Sequence, residues 1–573
     1  MSWSSFYGVI LMTKKDVIQL LEKIAIYMEL KGENTFKVSA YRKAAQSLEV
    51  DERTLEEIDD VTELKGIGKG VGEVINEFKT QGQSSTLQAL QDEVPEGLVP
   101  LLKIQGLGSK KIAKLYHELQ ITDKETLQQA CEEGKVSTLK GFAKKTEQNI
   151  LEAVKSIGAK KDRYPIELMR GLNQEIVKFI EQLEGVEQYS TAGSFRRYKE
   201  MSKDLDFIIS TSEPKKVQQQ LLRIPNKVKD VAVGDTKISL ELAYDDETIG
   251  VDFRLIEPAA FYHTLQHFTG SKDHNIRIRQ LAKARDEKVS EYGIEQQDGK
   301  LLQLQSEEAI YHHFGVDWIA PAMREDGSEF DKDLSQIIQL DDINGDLHMH
   351  TTYSDGAFSI KEMIEANIEK GYEFMVITDH SQSLKVAHGL QVDRLLRLNE
   401  EYKEIDIYSG TEMDILPDGT LDYDDEVLAQ LDYVIAAIHQ NFNQSEDEIM
   451  KRLETACRNP YVRHIAHPTG RIIGRRKGYK ANIEKLMNLA EETNTILEIN
   501  ANPHRLDLNA EIVRKYPKVK LTINTDAHHT NHLDFMKYGV ATAQKGFVNK
   551  ERVINTMTKE AFRSFVETNK YKK

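Results

Sequence analysis

Gly193-Ser194-Phe195-Arg196-Arg197 is followed, five residues later, by Lys203-Asp204-Leu205-Asp206-Phe207-Ile208-Ile209, and these segments decide the fold of the middle of the chain. The aromatic and β-branched residues after the acidic pair predict a β-strand. Residues two apart on a strand share a face, so Asp204 and Asp206 can point at one place. Such a pair suits a hard divalent cation, and the glycine, hydroxyl and arginines upstream suit a phosphate. Metal-dependent phosphoryl chemistry is indicated; the alternative is a solvated turn with a chance Asp-x-Asp.

A second predicted strand, Ile249–Ile256, carries one more acid between apolar residues. Acidic side chains are almost never fully buried without a partner. Asp252 is therefore expected to need a cation, and it can complete a triad with Asp204 and Asp206. The alternative is an ion pair between Asp252 and Arg254 on a solvent face.

Length and composition bound the class of protein. A chain of 573 residues contains several domains, because single cores stop growing at roughly 250–300 residues. Two cysteines, Cys131 and Cys457, exclude a disulfide framework and favour the cytoplasm. The net charge of −17 does not exclude a DNA-binding protein, because a local basic surface decides that property. No apolar run approaches the roughly 18–20 residues of a membrane span, so we expect no membrane partner.

The amino-terminal region is predicted to be helical. Thr13 precedes an apolar-periodic run and resembles a helix start, so we expect Met12 to be the native start and residues 1–12 to be a tail. Three glycine hairpins with following lysines occur at Leu64–Gly72, Ile104–Ile112 and Leu139–Thr146. These helix-hairpin-helix units can direct backbone N–H groups at DNA phosphates without reading sequence. The candidate DNA-binding residues here are Gly66, Gly68, Gly106 and Gly108. Ordinary helix-turn punctuation is the alternative for any one hairpin.

Residues from about 14 to 320 resemble a family X DNA polymerase, with DNA polymerase beta the nearest familiar member. The order and spacing of five motifs carry this resemblance: Ala40–Ala45, Gly193–Arg197, Asp204-x-Asp206, Asp252–Arg254 and Phe268–Ser271. It implies that Asp204 and Asp206 bind two ions, Mg²⁺ or Mn²⁺. It further implies that Asp252 binds the catalytic ion and helps to deprotonate the primer 3′-hydroxyl. The implied chemistry is two-metal, in-line nucleotidyl transfer.

The same resemblance assigns residues to the substrates, which would be dNTPs and gapped or primed DNA. At the incoming nucleotide it places Arg163, Gly193, Ser194, Arg197, Phe268, Gly270 and Asn275, with Arg279 on the template side; at a 5′-phosphate pocket it places Lys37 and Tyr41.

Three positions depart from the family pattern. His267 stands where the family has its sugar-discriminating tyrosine, Val74 replaces the Schiff-base lysine, and Gly70 replaces another pocket lysine. We therefore expect 5′-phosphate recognition without efficient β-elimination.

The carboxy-terminal region repeats one pattern, in which an apolar strand ends in metal-ligand residue types. The seven segments are Gly345–His350, Phe374–His380, Ile407–Glu412, Tyr433–His439, Arg463–His467, Ile496–Asn500 and Leu521–His528. Strands that mostly alternate with helices predict a parallel barrel, and ligands at their carboxyl ends belong at its mouth. Isolated histidines are usually structural, but six at corresponding places are not.

This region resembles the PHP (polymerase and histidinol phosphatase) family through the His348–Gly356 motif, His-x-His-Thr-x-x-Ser-Asp-Gly. The ligand set that the family implies is His348, His350, Asp355, His380, Glu412, His439, His467, Asp526 and His528. Nine such ligands suit two or three Mn²⁺, Zn²⁺ or Fe²⁺ ions and a phosphoesterase. Arg471, Arg475 and Arg505 are candidates for the substrate phosphate, with surface salt bridges as the alternative; His388, His464, His529 and His532 receive no role.

The predicted fold is a helical helix-hairpin-helix amino-terminal part, a polymerase beta-like α/β nucleotidyltransferase core and a carboxy-terminal (β/α)7 PHP barrel. The predicted domains are a tail (1–12), a helical DNA-binding domain (13–85), a helix-hairpin-helix, thumb-like region (86–160), a palm (161–258), a nucleotide-selection subdomain (259–323), a linker (324–342) and the PHP domain (343–573).

Together the resemblances match bacterial family X polymerases with a PHP domain and imply a DNA repair enzyme, expected to be monomeric. It would fill short gaps and act as a 3′–5′ exonuclease, with abasic-site (AP endonuclease) cleavage in some members. The alternatives are a small-molecule phosphatase tethered to DNA and a non-enzymatic DNA-end scaffold.

Overall fold

The computed structural model describes residues 14–51, 53, 55, 58–104, 107–156, 161–404 and 407–568. The predicted tail and Gly106 lie outside these ranges. The chain divides into two compact units, Met1–Lys160 and Lys161–Lys573. Within the ranges just given, no helix has both the length and the apolar character needed to cross a lipid bilayer.

The first unit is built from helices. They are α1 (Lys14–Lys31), α2 (Thr35–Val50), α3 (Lys69–Gln81), α4 (Ser85–Glu93), α5 (Ser109–Leu119), α6 (Lys124–Glu132) and α7 (Lys144–Ser156). Side chains of Asn34, Ser84 and Asp123 accept backbone N–H groups at the starts of α2, α4 and α6, which satisfies donors that a helix leaves unpaired. The apolar face of α1 is buried, and so is the free thiol of Cys131.

The glycine hairpins join these helices. Gly66 and Gly141 have φ of +107° and +99°, a conformation that strongly favours glycine. Gly68 and Gly108 cap the amino termini of α3 and α5, and within the described parts of the chain no atom beyond the adjoining backbone lies within 4 Å of where their Cβ atoms would be. The first N–H groups of both helices are thus approachable, as an anion site requires.

The second unit opens with the palm, which contains a five-stranded sheet. The elements of the palm region are β1 (Tyr164–Pro165), α8 (Ile166–Ile180), β2 (Gln188–Thr191), α9 (Gly193–Arg196), β3 (Met201–Ser202), β4 (Asp204–Ser210), α10 (Pro214–Leu221), β5 (Lys227–Val233), β6 (Lys237–Tyr244) and β7 (Glu247–Ile256). The strand order is β2-β4-β7-β6-β5, in which only β4 and β7 run parallel. Alternate residues of β7 are buried, whereas β4 is buried continuously from Phe207 to Ser210, and Phe207 stacks on Phe253 at 5.5 Å.

The next elements cover one end of the palm. They are α11 (Phe261–Thr269), α12 (Lys272–Lys283), the antiparallel strands β8 (Lys288–Ser290), β9 (Gly293–Glu295) and β10 (Leu301–Leu302), and α13 (Glu307–His313). Arg196 donates to Glu307 and to Thr269, and the buried Arg324 also donates to Glu307. This charge-assisted network joins Arg196 of the phosphate loop (Gly193–Arg197) to the covering helices.

Seven parallel strands form the carboxy-terminal barrel in chain order. They are β11 (Gly345–Asp346), β12 (Phe374–Ile377), β13 (Tyr408–Asp414), β14 (Tyr433–Ala437), β15 (Val462–Ile465), β16 (Ile496–Asn500) and β17 (Leu521–Asn524). The helices are α14 (Ile360–Glu369), α15 (Val392–Glu404), α16 (Asp425–Leu428), α17 (Glu446–Arg458), α18 (Ile483–Glu492), α19 (Ala510–Lys515), α20 (Met536–Lys545) and α21 (Lys559–Thr568). Met349 and Ala527 pair in parallel beyond β11 and β17 and bring the ends of the sheet together. The predicted multidomain fold, including the (β/α)7 barrel, is confirmed.

The palm and the barrel share apolar contacts. Ile166, at the start of α8, is fully buried within the main apolar cluster of the barrel. The Tyr198 ring meets the edge of Tyr538 on α20 at a centroid distance of 5.5 Å. The palm and the barrel have separate apolar clusters, but residues at the edge of the palm pack directly on the cluster of the barrel.

Candidate active sites

The register of the palm sheet brings the predicted carboxylates together. Asp206 on β4 is the direct partner of Asp252 on β7, and Asp204 is the partner of Gly250. Because Asp204 lies two residues before Asp206, all three acids share one face of the sheet. The sequence predicted the two strands and the triad, but the pairing register itself comes from the structure.

The electrostatics of this triad favour a cation. Burial, followed by repulsion from Asp204 and Asp252, raises the pKa of Asp206 to about 7. Burial and then Asp252 also raise the pKa of Asp204. Lys237 Nζ lies 2.6 Å from Asp252 Oδ2, whereas the Arg254 guanidinium stacks 3.7 Å from the Phe268 ring centroid. Asp252 thus pairs with Lys237 and not with Arg254, the ion pair that the sequence left open. Sequence reasoning missed Lys237.

The phosphate loop lies directly against this triad. Gly193 has φ of +64°, and a Cβ there would come within 2.1 Å of Asp206 Oδ2. Only glycine permits so close an approach. Ser194 Oγ hydrogen-bonds to Ser202 Oγ at 2.9 Å, so the hydroxyl is held beside the loop.

The predicted nucleotide residues are brought together only in part. Arg197 Nη1 donates to the carbonyl of Thr269, next to Gly270, and Asn275 Nδ2 donates to the carbonyl of His267 at 2.8 Å. Phe268 lies under Arg254 in the same region. Arg163, just before β1, and Arg279, on α12, are exposed. Within residues 161–404, neither makes a hydrogen bond or ion pair with the other predicted nucleotide residues.

The nine predicted ligands of the barrel converge at the carboxyl ends of its strands, buried or half-buried. Glu412 is at the centre. Its carboxylate oxygens lie 2.8–3.6 Å from ring nitrogens of five histidines: His348, His350, His380, His439 and His467. On one side, Asp526 Oδ1 lies 3.3 Å from His350 Nε2; on the other, Asp355 Oδ1 lies 3.3 Å from His528 Nε2.

This arrangement fits metal ions. Among the described residues, both ring nitrogens of His350 and Nε2 of His348 are buried and find no hydrogen-bond partner, and each such unsatisfied group costs about 1–3 kcal/mol. Groups of three or four potential ligand atoms, such as those of His350, Asp355, His380 and His528, lie within 4.8 Å of one another. A mixed nitrogen and oxygen set of this size suits two or three transition-metal ions.

Two acids outside the predicted ligand set contact ligand histidines through the ring nitrogen Nδ1. Glu498 on β16 is fully buried, with Oε1 2.7 Å from His348 Nδ1, while Asp414 Oδ1 lies 2.8 Å from His439 Nδ1. Carboxylates in this position fix the ring orientation of a ligand histidine and raise its basicity. The available signals were an acid in the middle of the apolar β16 segment and the i+2 spacing of Asp414 from Glu412.

Changing Glu498 to glutamine should weaken metal binding at the barrel. The amide keeps the shape but removes the charge behind His348, so we expect about a 10- to 100-fold higher Mn²⁺ requirement for 3′ degradation. A Mn²⁺ titration of the wild type, the variant and a surface control, Glu492→Gln, measures this. An unchanged Mn²⁺ dependence would remove Glu498 from the site.

Comparisons with known proteins cover all parts of this geometry. Family models match a helix-hairpin-helix domain at residues 12–84, a SAM-like helix-hairpin-helix tandem at 98–156, the DNA polymerase beta thumb at 264–325 and the PHP domain at 346–502. The DNA polymerase/3′-5′ exonuclease PolX of Bacillus subtilis (strain 168) is 54% identical over 570 residues, covering 97% of this chain and all of that protein. This chain belongs to the PolX family. A probable phosphatase of Thermoanaerobacter sp. (strain X514) is 29% identical over 225 residues, covering 37% of this chain and 89% of that protein.

The three candidate phosphate-binding arginines of this PolX family member have different surroundings. Arg505 Nε lies 3.5 Å from Asp526 Oδ2, at the edge of the ligand cluster. Arg471 instead makes two contacts, of 2.7 and 3.0 Å, with Glu200 of the palm. This salt bridge is the alternative to a phosphate-binding role that the sequence left open. Arg475 is exposed.

A cleft of about 680 Å³ in the first unit gathers the predicted 5′-phosphate residues of this family member. Lys37, Tyr41 and Gly68 line it together with Gly70 and Val74, the two departures from the family pattern. Val74 is 7% exposed and supplies no amine.

The protein should therefore bind a 5′-deoxyribose phosphate end without forming a Schiff base with it. Borohydride treatment of the wild type with such DNA is expected to trap little product, because Val74 stands at the family's Schiff-base position and has no amine. Val74→Lys is the matched variant and should trap more. Trapping in good yield by the wild type would contradict this expectation.

Proposed function

We propose that this protein fills short gaps in DNA at the palm site and removes 3′ nucleotides or blocked 3′ ends at the barrel site. The observation that carries the proposal is the presence of two complete, separate acid-rich centres in one chain of the PolX family. Its substrates are gapped or primed DNA and dNTPs, and its place is DNA repair. We propose that a monomer suffices, because one chain supplies every residue of both sites.

In the palm, the chain's own residues position the reactants. Gly193, Ser194 and Arg197 hold the triphosphate through backbone N–H, hydroxyl and guanidinium groups, and Arg163, just before β1, is a further cation for it. Phe268, Gly270 and Asn275 line the sugar and base, and Arg279 lies on the template side. Asp252 takes part in moving the 3′-hydroxyl proton. Asp204, Asp206 and Asp252 would hold Mg²⁺ or Mn²⁺, which when bound lowers the pKa of the attacking oxygen and stabilises charge on the phosphates.

In the barrel, the nine predicted ligands would hold two or three ions of the Mn²⁺, Zn²⁺ or Fe²⁺ type. Bound there, such ions supply a nucleophile at neutral pH. Glu498 and Asp414 fix His348 and His439, and burial excludes bulk water. Arg505, at the edge of the cluster, is positioned to bind the substrate phosphate. Cleavage at abasic sites is a further activity of the same centre.

The amino-terminal part supplies sequence-independent DNA contacts. We propose that Lys37 and Tyr41 bind a 5′-phosphate and that Gly66, Gly68, Gly106 and Gly108 place helix N–H groups against backbone phosphates. We also retain the predicted domain boundaries, with the linker at residues 324–342.

A labelled primer on gapped DNA tests the proposal. With dNTPs in Mg²⁺ the primer should lengthen by the size of the gap, and without dNTPs in Mn²⁺ it should shorten from its 3′ end. EDTA should stop both reactions. A tethered phosphatase would hydrolyse a small phosphomonoester but leave the primer unchanged, and a scaffold would bind the DNA without altering its length.

A further inference from the structure

The start of the predicted linker is packed against the nucleotide site. Ser271, the last residue of the Phe268–Ser271 motif, donates its backbone N–H to Arg324 O at 3.1 Å and its hydroxyl to Glu325 O. Arg324 is fully buried. Residues 324 and 325 are thus fixed to the motif that would hold the incoming sugar.

The barrel contacts Glu325 and the next residue, Asp326. Lys545, the last residue of α20, places Nζ 3.2 Å from Glu325 Oε1, and Arg514 at α19 places Nη1 3.1 Å from Asp326 Oδ2. The Lys545 side chain is only 13% exposed. Two cations of the barrel therefore hold two consecutive acids beside the palm.

Glu325 also faces two cations of the palm. Its Oε2 lies 2.6 Å from Lys199 Nζ, and its Oε1 lies 3.8 Å from Nε of Arg197. Nε of Arg197 is buried and makes no hydrogen bond among the described residues. Oε1 is thus shared between a close lysine from the barrel and a more distant arginine of the triphosphate loop.

We propose that Lys545 is a positioning residue for nucleotide binding at the palm. By engaging Glu325 Oε1, it prevents that oxygen from closing on Arg197 and leaves the guanidinium to the triphosphate. The inference rests on the proposed polymerase function and adds to it a contribution from the barrel half.

The charges support this direction. If Lys545 lost its charge, Oε1 would lose its contact at 3.2 Å while Arg197 Nε remained 3.8 Å away, and a half-buried carboxylate oxygen that loses one cation moves toward another. Burial lowers the pKa of Lys545 to about 8, against the opposing effect of Glu325, so the amine stays mainly charged at neutral pH.

Steady-state primer extension by the full-length protein tests the proposal. Lys545→Met should raise KM for dNTP about tenfold, as expected when one charge-assisted hydrogen bond is lost to a competing partner. The kcat should change by less than about twofold, because ground-state and transition-state binding are affected alike. Degradation of the 3′ end in the absence of dNTPs should not change.

Three companion variants separate positioning from general damage. Lys545→Arg keeps the charge and should retain the wild-type KM. Adding Glu325→Gln to Lys545→Met removes the competitor for Arg197 and should restore KM. Lys550→Met removes a similar barrel lysine, whose Nζ lies 3.4 Å from Asp342 in the linker, and should leave KM unchanged.

Specific results overturn the inference. A normal KM in Lys545→Met, or a raised KM that Glu325→Gln does not restore, contradicts it. If Lys545→Met unfolds, the comparison of Lys545→Gln with Lys545→Gln/Glu325→Gln decides in the same way. A wild type that does not extend primers removes the proposed function itself, whereas wild-type extension with an unchanged variant KM removes only this inference.

Discussion

Changing Asp206 to asparagine is expected to lower primer extension by at least about a thousandfold, equivalent to about 4 kcal/mol of transition-state stabilisation. Asp206 lies opposite Asp252 in the sheet and against Gly193 of the phosphate loop. Asparagine keeps the shape but removes the charge that a bound cation needs. Primer extension on gapped DNA in Mg²⁺ measures the loss, and 3′ degradation in Mn²⁺ should persist.

The same variant carries its own control for folding. The pKa of Asp206 is raised to about 7, above its ordinary value, so ionising this carboxylate costs the metal-free folded state stability as pH rises through that range. Asparagine removes that cost, and thermal unfolding in EDTA at pH 8 should occur no earlier than in wild type. Loss of both activities, or earlier unfolding, would contradict a role confined to the palm.

Changing His350 to alanine is expected to abolish 3′ degradation while sparing extension. His350 Nε2 lies 3.3 Å from Asp526 and 3.6 Å from Glu412, between two carboxylates of the cluster. Burial, then His528 and His380, lower the pKa of His350 to about 3, so the ring is in the neutral, ligand-competent form at neutral pH. A loss of about a hundredfold or more is expected by comparison with outer-shell changes, which cost 10–100-fold.

His388→Asn is the matched control for this change. His388 lies outside the cluster in a left-handed turn with φ of +54°, which asparagine tolerates. The His388→Asn variant should degrade the primer 3′ end at the wild-type rate in a time course with labelled primer and Mn²⁺. If His350→Ala degrades the primer at the wild-type rate, or if it also fails to extend, the separation of the two sites is wrong.

Much of the fold was readable because local patterns and strand chemistry agree. The alternation around Asp252 and the repeated strand-end ligands, such as His348 and His439, predicted the palm strands and the barrel. The glycine hairpins predicted the turns of the helical unit, because the positive φ values of Gly66 and Gly141 strongly favour glycine. In these cases the residues that determine the local structure lie within one short segment of the sequence.

The remaining features depend on contacts between distant segments. Lys237 reaches Asp252 only because β6 pairs with β7 in the observed register, and the residue pattern of either strand alone does not give that register. Glu325 and Lys545 are separated by 220 residues, and Arg471 meets Glu200 across 271. Residue type alone could not separate a phosphate-binding arginine from one that pairs with the palm, because both need a guanidinium.

Burial of Ile166 inside the barrel cluster has a consequence for any separation of the two halves. A barrel cut free of the palm would expose to water the apolar face that Ile166 and Tyr198 cover, including the ring of Tyr538. Separation would therefore be costly through exposed hydrophobic surface. We expect the palm and the barrel to be stable only as one piece.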